Sequence, residues 1–371
     1  MRIAIISDNP SMNTGYGRIA MHLGLELAKD NDVSYVGLQH RGDVTYFDQG
    51  KNTFPVFPGT IYNPGNLQTL NRSINMIEPD VSITIRDMVT FSMKRFPQGF
   101  TLEQFSGKFK RISYLPMMSQ FYPKDVIADT MKSTDFVATY TESARLGMMH
   151  YGVPYNLIRT INVGYDPQIY NTAGPKDYFD TGTDVFTFVG LMFDTRKKVG
   201  LLLKAFREYV FGHDHTAMLY IHNMPTGTAY DMPSWIDMLD LKGHVIFPPE
   251  WYHEWGITDT EMARIYRSST AVVSFSPEEG FNMPFLEAMA CGTPVVGNAM
   301  PYYDWSDQIL QVPSIEAEEG AMAFGYVSDP AVFAEYMAKA KEVRIDPARL
   351  EHLQWPHVAD KFREVIREVV K

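Results

Sequence analysis

The 371-residue sequence contains a single cysteine, Cys291, so the chain cannot form an internal disulfide, and nothing indicates secretion. It also lacks long hydrophobic runs: stretches such as residues 186–193 are far shorter than the roughly 20 residues that cross a bilayer. The apolar stretch near the amino terminus is too short for a signal peptide. We therefore expect a cytoplasmic protein. A composition of 45% hydrophobic and 21% charged residues excludes collagen-like and largely disordered chains.

An excess of positive charge is absent as well, since the net charge is −11. Residues 1–175 carry 16 Lys and Arg against 15 Asp and Glu, whereas the remaining residues carry 17 against 29. This balance argues against non-specific coating of nucleic acid. Basic residues in the first half leave two interpretations open, a scattered solvated surface or a local basic patch. They are Lys94, Arg95, Lys108, Lys110 and Arg111.

Short β-branched runs alternate with longer amphipathic stretches in both halves of the chain. In the first half the predicted strands are residues 2–7, 33–38, 81–85, 111–115 and 136–140. In the second half they are residues 185–190, 218–221, 245–247, 271–275 and 294–297. Such alternation predicts parallel strands joined by helical crossovers, and therefore an α/β fold with doubly wound sheets.

The domain organisation follows from the point at which this pattern restarts. Residues 171–183 are rich in Gly, Pro, Asp and Thr and predict a linker. We therefore predict one Rossmann-like domain over residues 1–170 and a second over 184–355, followed by a last helix within 356–371. Two such domains that face each other bind a ligand in the cleft outside the carboxyl ends of their strands.

A glycine-containing loop follows the first predicted strand. Gly15, Gly17 and Ala20 match the G-x-G-x-x-A pattern of dinucleotide-binding folds. However, residues 8–14 separate the pattern from the strand, and the second strand ends at residues 38–40 without the acidic residue that holds a ribose. The sequence therefore argues against a hydride-transfer cofactor. Two interpretations remain, a plain turn before a helix or a loop whose amides approach an anion or a sugar.

The most specific segment of the sequence is residues 274–296. Its pattern predicts a buried strand, a loop and then a short helix. Asn282 is a favourable residue for the N-cap, and Pro284 suits the first helical turn because its missing N–H is not needed there. Gly292 is typical of the end of a helix.

This strand–loop–helix segment brings together groups that bind phosphorylated sugars. The amides of Phe281, Asn282 and Met283 are expected to point toward the strand ends, where they can bind an anion. Glu279 lies in the loop, and Glu287 lies about one turn into the helix. Two carboxylates beside an anion-binding helix start can accept hydrogen bonds from sugar or ribose hydroxyls.

The segment resembles the signature of the retaining glycosyltransferases of family 4, also called group 1, which have the GT-B fold. Their pattern is Glu-Gly-Phe-Gly-x-x-x-x-Glu-Ala-x-Ala-x-Gly-x-Pro-Val, and Glu279 and Glu287 match its two glutamates. The resemblance implies that Glu279 contacts the hydroxyls of the donor sugar and Glu287 the ribose of the nucleotide. Asn282 replaces the second glycine of the pattern.

A second stretch of the same half agrees with the family. Residues 188–191 and 196–198 resemble the Val-Gly-Arg and Arg-Lys-Gly segments of its members, whose lysine binds the diphosphate. The resemblance implies this role for Lys197. Leu191 replaces the family's first arginine, and Arg196 and Lys198 are the candidates to substitute for it.

The resemblance is weaker in the first half. Residues 13–18 resemble the family's amino-terminal glycine loop, which makes Gly15 and Gly17 donor-binding candidates. Many members have a donor-contacting histidine where this sequence reads Ser-Tyr-Leu-Pro-Met-Met, at residues 113–118. Four other residues are acceptor-side candidates, and a structural role is the alternative for each. These are Tyr16, Arg18, His40 and Asp87.

The resemblance implies a hexosyl- or glycosyltransferase that moves a sugar from a nucleoside-diphosphate sugar to an acceptor hydroxyl with retention of configuration. The first domain would bind the acceptor, the second the nucleotide sugar, and the final helix would pack back on the first domain. The acceptor class stays open between lipid, glycan, small molecule, protein and modified nucleic-acid base. The basic residues of the first half are candidates for contact with a membrane surface or a phosphate-bearing acceptor. The alternatives are a nucleotide-sugar epimerase or hydrolase of the same fold and a non-catalytic nucleotide-sugar-binding protein.

We expect no metal and no further cofactor. The one Asp-x-Asp sequence, Asp30 to Asp32, lies between a predicted helix and strand and is interpreted as a turn. His213 and His215 lie in a connection without a third ligand. Neutralisation of the diphosphate by Lys197 and helix amides would make a metal unnecessary.

Overall fold

The computed structural model describes the whole chain except residues 13, 50–51, 60–65, 93–107, 119–121, 180–181, 193–194, 250–251, 253–255 and 320–322. The chain divides into two compact units. The N-terminal unit comprises Met1–Gly164 and His352–Lys371, and the C-terminal unit comprises Tyr165–Glu351. The predicted first domain ended at residue 170, whereas the observed boundary lies between Gly164 and Tyr165. Among the described residues, no helix is both long enough and apolar enough to cross a bilayer.

The N-terminal unit is built on an eight-stranded sheet in the order β3-β4-β2-β1-β5-β6-β7-β8. Every neighbouring pair is parallel except β3 and β4, which are antiparallel. The strand order reverses between β1 and β5, so their carboxyl ends form the switch point at which such sheets bind ligands. The strands are β1 (Arg2–Asp8), β2 (Asp32–Leu38), β3 (Thr45–Gln49), β4 (Asn52–Gly59), β5 (Val81–Ile85), β6 (Lys110–Leu115), β7 (Phe136–Thr139) and β8 (Ile158–Thr160).

Four helices of this unit join successive strands. Their sequences place apolar residues at helical spacing: Ile19, Leu23 and Leu27 of the first helix are all buried. Residues 3–6 of the central strand β1 are fully buried, as expected for a strand covered on both faces. The helices are α1 (Gly15–Leu27), α2 (Asn66–Ile77), α3 (Lys124–Lys132) and α4 (Glu142–His150).

The C-terminal unit repeats the design with a six-stranded parallel sheet in the order β11-β10-β9-β12-β13-β14 and an antiparallel hairpin of β15 and β16. Its switch point lies between β9 and β12. The strands are β9 (Val185–Val189), β10 (Met218–His222), β11 (Val245–Ile246), β12 (Ala271–Ser274), β13 (Val295–Asn298), β14 (Leu310–Val312), β15 (Ser314–Glu319) and β16 (Ala323–Ser328). The helices are α5 (Val199–Gly212), α6 (Met232–Met238), α7 (Asp259–Ser268), α8 (Met283–Ala290) and α9 (Pro330–Ala340).

The last helix, α10 (Trp355–Val370), belongs to the N-terminal unit. Trp355 stacks on His22 of α1 with ring centroids 5.5 Å apart, and Phe362 meets Tyr114 of β6 edge-on at 4.9 Å. Arg363 of the same helix pairs with Asp30 at 3.0 Å. A buried apolar face and an ion pair therefore fix α10 against α1 and β6.

The predicted parallel strands are present in both units, and the α/β class with doubly wound sheets is confirmed. Two hairpins, formed by β3 with β4 and by β15 with β16, were not predicted, and neither were the short strands β8 and β14. One strand of each hairpin lacks a sustained apolar run: β3 lies at the edge of the N-terminal sheet, and β15 lies outside the main sheet of its unit. Their pairing depends on neighbouring strands more than on local sequence.

Candidate active site

Two loops meet the carboxyl edge of the C-terminal sheet at its switch point. One connects β9 to α5, and the other connects β12 to α8. Because β9 and β12 are neighbouring parallel strands, both loops leave the same edge, and both lead into helix amino termini. The positive ends of α5 and α8 therefore lie at this edge.

Lys197 and Glu279 form an ion pair between these loops, with the lysine Nζ donating to Glu279 Oε1. The two side chains are only 13% and 10% exposed. Burial alone would raise the pKa of Glu279, but the charges of Lys197 and Arg196 and the hydrogen bonds from Lys197 and Ser276 lower it below its ordinary value. The carboxylate is therefore ionised at neutral pH and balances a buried ammonium group.

The residues beside Lys197 are held by side chains of the same unit. Arg196 Nη1 donates to the carbonyl oxygen of Glu278 at 3.2 Å, so both cations approach the Glu279 loop. Lys198 adopts a left-handed conformation, with φ of 47°, at the N-cap of α5. Tyr230 OH donates to the Thr195 carbonyl at 3.0 Å and thereby fixes the loop.

Leu191, which replaces the arginine of the family pattern, is 53% exposed.

The start of α8 differs in one respect from the sequence-based prediction. Asn282 occupies the N-cap, as expected, but its side chain makes no capping hydrogen bond. Its Nδ2 instead donates to Tyr303 OH at 2.9 Å, and its φ is 69°. Glycine adopts this left-handed conformation without strain, and asparagine tolerates it better than most residues. The replacement of the family's glycine by asparagine is therefore compatible with the backbone geometry.

The amides at this helix start lie in a well-packed loop. Within the described residues, no hydrogen-bond acceptor occupies the amides of Phe281, Asn282 or Met283. Phe281 and Asn282 are buried, and Met283 is half-buried. Trp305 stacks on the Phe281 ring at 4.6 Å and donates from its indole to the Phe281 carbonyl at 3.0 Å. Buried amides without a protein acceptor are rare and suit an anionic ligand.

Glu287 lies inside α8 and is 3% exposed. Its Oε2 accepts a hydrogen bond of 3.0 Å from Tyr266 OH of α7. The two predicted glutamates are therefore both buried and both hydrogen-bonded, and neither faces bulk water. The carboxylate of Glu287 is oriented by a fixed phenol, which would limit its rotation when it receives a ligand hydroxyl.

The glycine loop of the N-terminal unit caps α1. Thr14 is the N-cap, and its Oγ1 accepts from the Gly17 amide at 3.1 Å. A Cβ on Gly17 would lie 3.0 Å from the Met12 carbonyl oxygen, whereas one on Gly15 would meet nothing within 4 Å. Gly17 is therefore required by the way the loop folds over the helix start, and Gly15 leaves open space at the surface.

A polar cluster that the sequence analysis only partly anticipated lies at the switch point of this unit. Tyr16 OH donates to Asp87 Oδ2 at 2.8 Å, which joins two of the acceptor-side candidates. Asp8 and Arg86, which were not predicted, form a neighbouring buried ion pair. The Arg86 guanidinium lies 5.4 Å from the centre of the Tyr16 ring.

The sequence could have indicated these residues as site candidates. Asp8 ends the central strand β1, and Arg86 and Asp87 directly follow the central strand β5. Burial raises the pKa of the Tyr16 phenol well above its ordinary value, and the Asp87 carboxylate adds to this effect. Tyr16 is therefore a hydrogen-bond donor throughout the physiological pH range.

The other two acceptor-side candidates lie near this cluster. Arg18 is half-buried in the first turn of α1. His40 follows β2, and its Nε2 lies 3.0 Å from the Asp43 carbonyl oxygen, while its Nδ1 lies 3.4 Å from Asn9 Nδ2. Because a carbonyl only accepts and an amide nitrogen only donates, Nε2 carries the proton and Nδ1 accepts. His40 thus ties together the loops that follow β1 and β2.

The three basic residues of this predicted set that the structure describes do not gather at this edge. Lys94 and Arg95 lie outside the described residues. Lys108, Lys110 and Arg111 lie before and at the start of β6, which is the opposite edge of the sheet from the strand carboxyl ends. These three residues therefore lie away from the edge at which the candidate acceptor residues Tyr16, His40 and Asp87 are placed.

The residues considered as metal ligands from the sequence have other partners in the structure. His213 pairs with Glu335 at 3.3 Å, and Asp30 pairs with Arg363, which lowers the pKa of that carboxyl. In the described part of the chain, no group of three or more His, Cys, Asp or Glu side chains is arranged to hold a metal ion. Cys291 is buried, and burial raises the pKa of its thiol to about 12.

The sequence pattern of the family described as Glycosyl transferases group 1 matches residues 183–339, which include both loops of the C-terminal site. The C-terminal part of this chain therefore carries the sequence pattern of the group 1 glycosyltransferases. A curated D-inositol 3-phosphate glycosyltransferase of Rhodococcus opacus (strain B4) is 28% identical over 269 residues, or 68% of this chain and 56% of that protein. The chain thus spans about half the length of the curated relatives that it matches.

Solved structures share the fold of this chain. A sucrose-phosphate synthase from Thermosynechococcus elongatus aligns with a TM-score of 0.74 at 16% identity, covering 99% of this chain and 98% of its own. The Anabaena protein HepE, solved with UDP-glucose, aligns with a TM-score of 0.67 at 12% identity, covering 99% of each chain. The predicted GT-B class, with two Rossmann-like units, is therefore confirmed.

Proposed function

We propose that this protein is a retaining glycosyltransferase that moves a sugar from a nucleoside-diphosphate sugar to an acceptor hydroxyl. One observation carries the proposal: the buried Lys197–Glu279 pair lies beside three amides to which the described residues supply no acceptor, at the switch point of the C-terminal sheet. This combination offers positive charge and N–H donors to a diphosphate, and a carboxylate to sugar hydroxyls. The HepE structure, solved with UDP-glucose, supports a donor of this class.

In the proposed reaction, the bond between the anomeric carbon and the diphosphate oxygen breaks while the acceptor oxygen bonds to that carbon from the same face. The acceptor proton passes to the departing diphosphate, so no protein nucleophile is needed. Lys197 and the amides of residues 281–283 stabilise the charge that develops on the diphosphate. Glu279 orients the donor sugar, and Glu287 accepts hydrogen bonds from the ribose. Arg196 adds a second positive charge beside the same site.

The proposed acceptor is a small phosphorylated polyol or sugar. The names of two compared proteins support this class, since one is a D-inositol 3-phosphate glycosyltransferase and the other a sucrose-phosphate synthase. We also propose that the reaction needs no metal, because Lys197, Arg196 and the helix amides offer the charge that a metal would otherwise supply. Activity that is unchanged by EDTA would support this; loss on chelation with recovery on adding Mg²⁺ would contradict it.

The test is a transfer assay with UDP-, GDP- and ADP-sugars, in which released nucleotide and glycosylated product are both measured. Lys197→Ala is expected to lower kcat/KM by about 100-fold or more, because it removes a charge that acts mainly on the departing group. Lys204, an exposed lysine of α5 in the same unit, provides the matched control. The variant Lys204→Ala should leave turnover unchanged.

Full activity in both Lys197→Ala and Glu279→Ala would refute the site. Nucleotide release without any acceptor would indicate the epimerase or hydrolase alternative instead. The anomeric configuration of the product, read from its proton coupling constants, tests retention directly.

A further inference from the structure

A cavity of about 490 Å³ lies in the N-terminal unit, between the loop that follows β2 and the helix α2. Its lining includes residues 40–44, the end of β4 and one face of α2. Because β2 and β4 are parallel, the cavity opens at the carboxyl edge of the sheet, on the same edge as the glycine loop. We call it the Arg41 cavity, defined by His40, Arg41, Asp43, Pro58, Arg72 and Ser73.

The Arg41 cavity is lined by positive charge. Arg41 and Arg72 both line it and are both exposed. Among the described residues, neither guanidinium has an ion-pair or hydrogen-bond partner. Arg86 of the same unit, by contrast, is ion-paired with Asp8. Asp43 is the one carboxylate among the described lining residues, so the two arginines leave a positive excess.

The walls of this cavity are fixed by hydrogen bonds. Ser73 Oγ donates to the Pro58 carbonyl at 2.7 Å and holds α2 against the end of β4. His40 donates to the Asp43 carbonyl at 3.0 Å and so shapes the loop that carries Arg41. These hydrogen bonds hold the loop and the helix without the arginine side chains, which have no partner among the described residues.

The cavity also adjoins the glycine loop. Asn9 Nδ2 donates to His40 Nδ1 at 3.4 Å, and the Asn9 amide donates to the Leu38 carbonyl at 3.1 Å. One histidine thus separates the Arg41 cavity from the loop that leads to Tyr16 and Asp87. The Arg41 cavity and the glycine loop therefore share His40 as a common wall.

We infer that the Arg41 cavity is a phosphate subsite, in which Arg41 and Arg72 bind the phosphate monoester of the acceptor. The guanidinium group suits this role because its planar set of N–H donors matches phosphate oxygens. This inference rests on the proposed function for the identity of the ligand, but binding of phosphate to the cavity can be tested separately. Two sources of phosphate are distinguishable, the acceptor itself and free inorganic phosphate.

The experiment uses the full chain, with paired acceptors that differ only in phosphate: inositol 3-phosphate and inositol, fructose 6-phosphate and fructose, glucose 6-phosphate and glucose. Arg41→Ala and Arg72→Ala are each expected to raise the KM for a phosphorylated acceptor about 10-fold or more, with the donor KM unchanged. Inorganic phosphate should compete with that acceptor in the wild type, and its inhibition constant should rise equally in both variants. Asp43→Asn should lower the acceptor KM, since it removes the opposing charge.

Arg159→Ala is the matched control, because Arg159 is a half-buried arginine of β8 in the same unit that pairs with Glu368 and lies outside the cavity. An acceptor KM in Arg41→Ala and Arg72→Ala equal to that of the control would overturn the subsite while leaving glycosyl transfer intact. Equal use of phosphorylated and unphosphorylated acceptors would overturn the assignment to the acceptor's phosphate. If no acceptor is glycosylated, calorimetric binding of inorganic phosphate decides: loss of binding in both variants supports the subsite although the proposed function has failed, and unchanged binding overturns it.

Discussion

Replacement of Lys197 by methionine tests whether the Lys197–Glu279 pair is the buried, ionised pair on which the proposed site depends. Methionine keeps most of the apolar stem of lysine and removes the ammonium group. Because the two side chains are only 13% and 10% exposed, the change leaves a carboxylate with little access to water. Breaking a buried pair from one side typically costs about 3–5 kcal/mol of the free energy of unfolding. We expect a loss near the lower end, since Arg196 also acts on Glu279.

The dependence of this loss on pH identifies its cause. In the wild type the folded pKa of Glu279 lies below its ordinary value of 4.5. The contribution of the pair is therefore present above that value and is lost as the pH falls through the folded pKa. In Lys197→Met, burial becomes the dominant influence and raises the folded pKa. The deficit of the variant should then be largest at pH 8 and shrink as the pH falls toward 4.5.

Urea unfolding of the wild type and variant across this pH range, followed by tryptophan fluorescence, measures the deficit. The double variant Lys197→Met/Glu279→Gln is the control, and it should recover to within about 1–2 kcal/mol of the wild type because no buried charge remains unpaired. A deficit of less than about 1 kcal/mol at pH 7 would be typical of a surface pair and would refute the reasoning. So would a deficit that is the same at pH 5 and pH 8.

Three further changes test the local geometry. Gly17→Ala should lower the free energy of unfolding, measured by thermal melts, by about 1–3 kcal/mol, because its Cβ would lie 3.0 Å from a backbone carbonyl oxygen. Gly15→Ala is the control and should show no loss, because its Cβ would meet no atom within 4 Å. Asn282→Ala should cost about 1–2 kcal/mol more than Asn282→Gly in urea titrations, since only glycine adopts a φ of 69° without strain; equal losses would contradict this. Gly164→Ala should destabilise the N-terminal unit by about 1–3 kcal/mol, because its Cβ would lie 2.6 Å from the Trp355 indole. Trp355→Leu in that background should recover part of the loss, and additive losses would show that the two residues are not in conflict.

Much of the fold was determined by the sequence alone. Parallel strands that are buried on both faces consist of short runs of apolar, often β-branched residues. For this reason β1, β5, β9 and β12 could be predicted from the hydrophobic pattern. The glutamates of the C-terminal site could be found because they lie within one strand–loop–helix segment, whose spacing is local. The hairpins could not be found, since edge strands depend on their neighbours more than on an apolar run of their own.

Tertiary structure decided what lies opposite each predicted residue. The pairing of Lys197 with Glu279 joins positions 82 residues apart, and that of Tyr16 with Asp87 joins positions 71 apart. The sequence shows each group but not its partner, because parallel strands bring distant loops to one edge only after the sheet has formed. For the same reason the sequence favoured a capping hydrogen bond from the Asn282 side chain. In the folded chain the side-chain amide of Asn282 instead donates to Tyr303 OH. It could not indicate that Arg41 and Arg72 line one cavity, since a loop and a helix from separate segments form the walls.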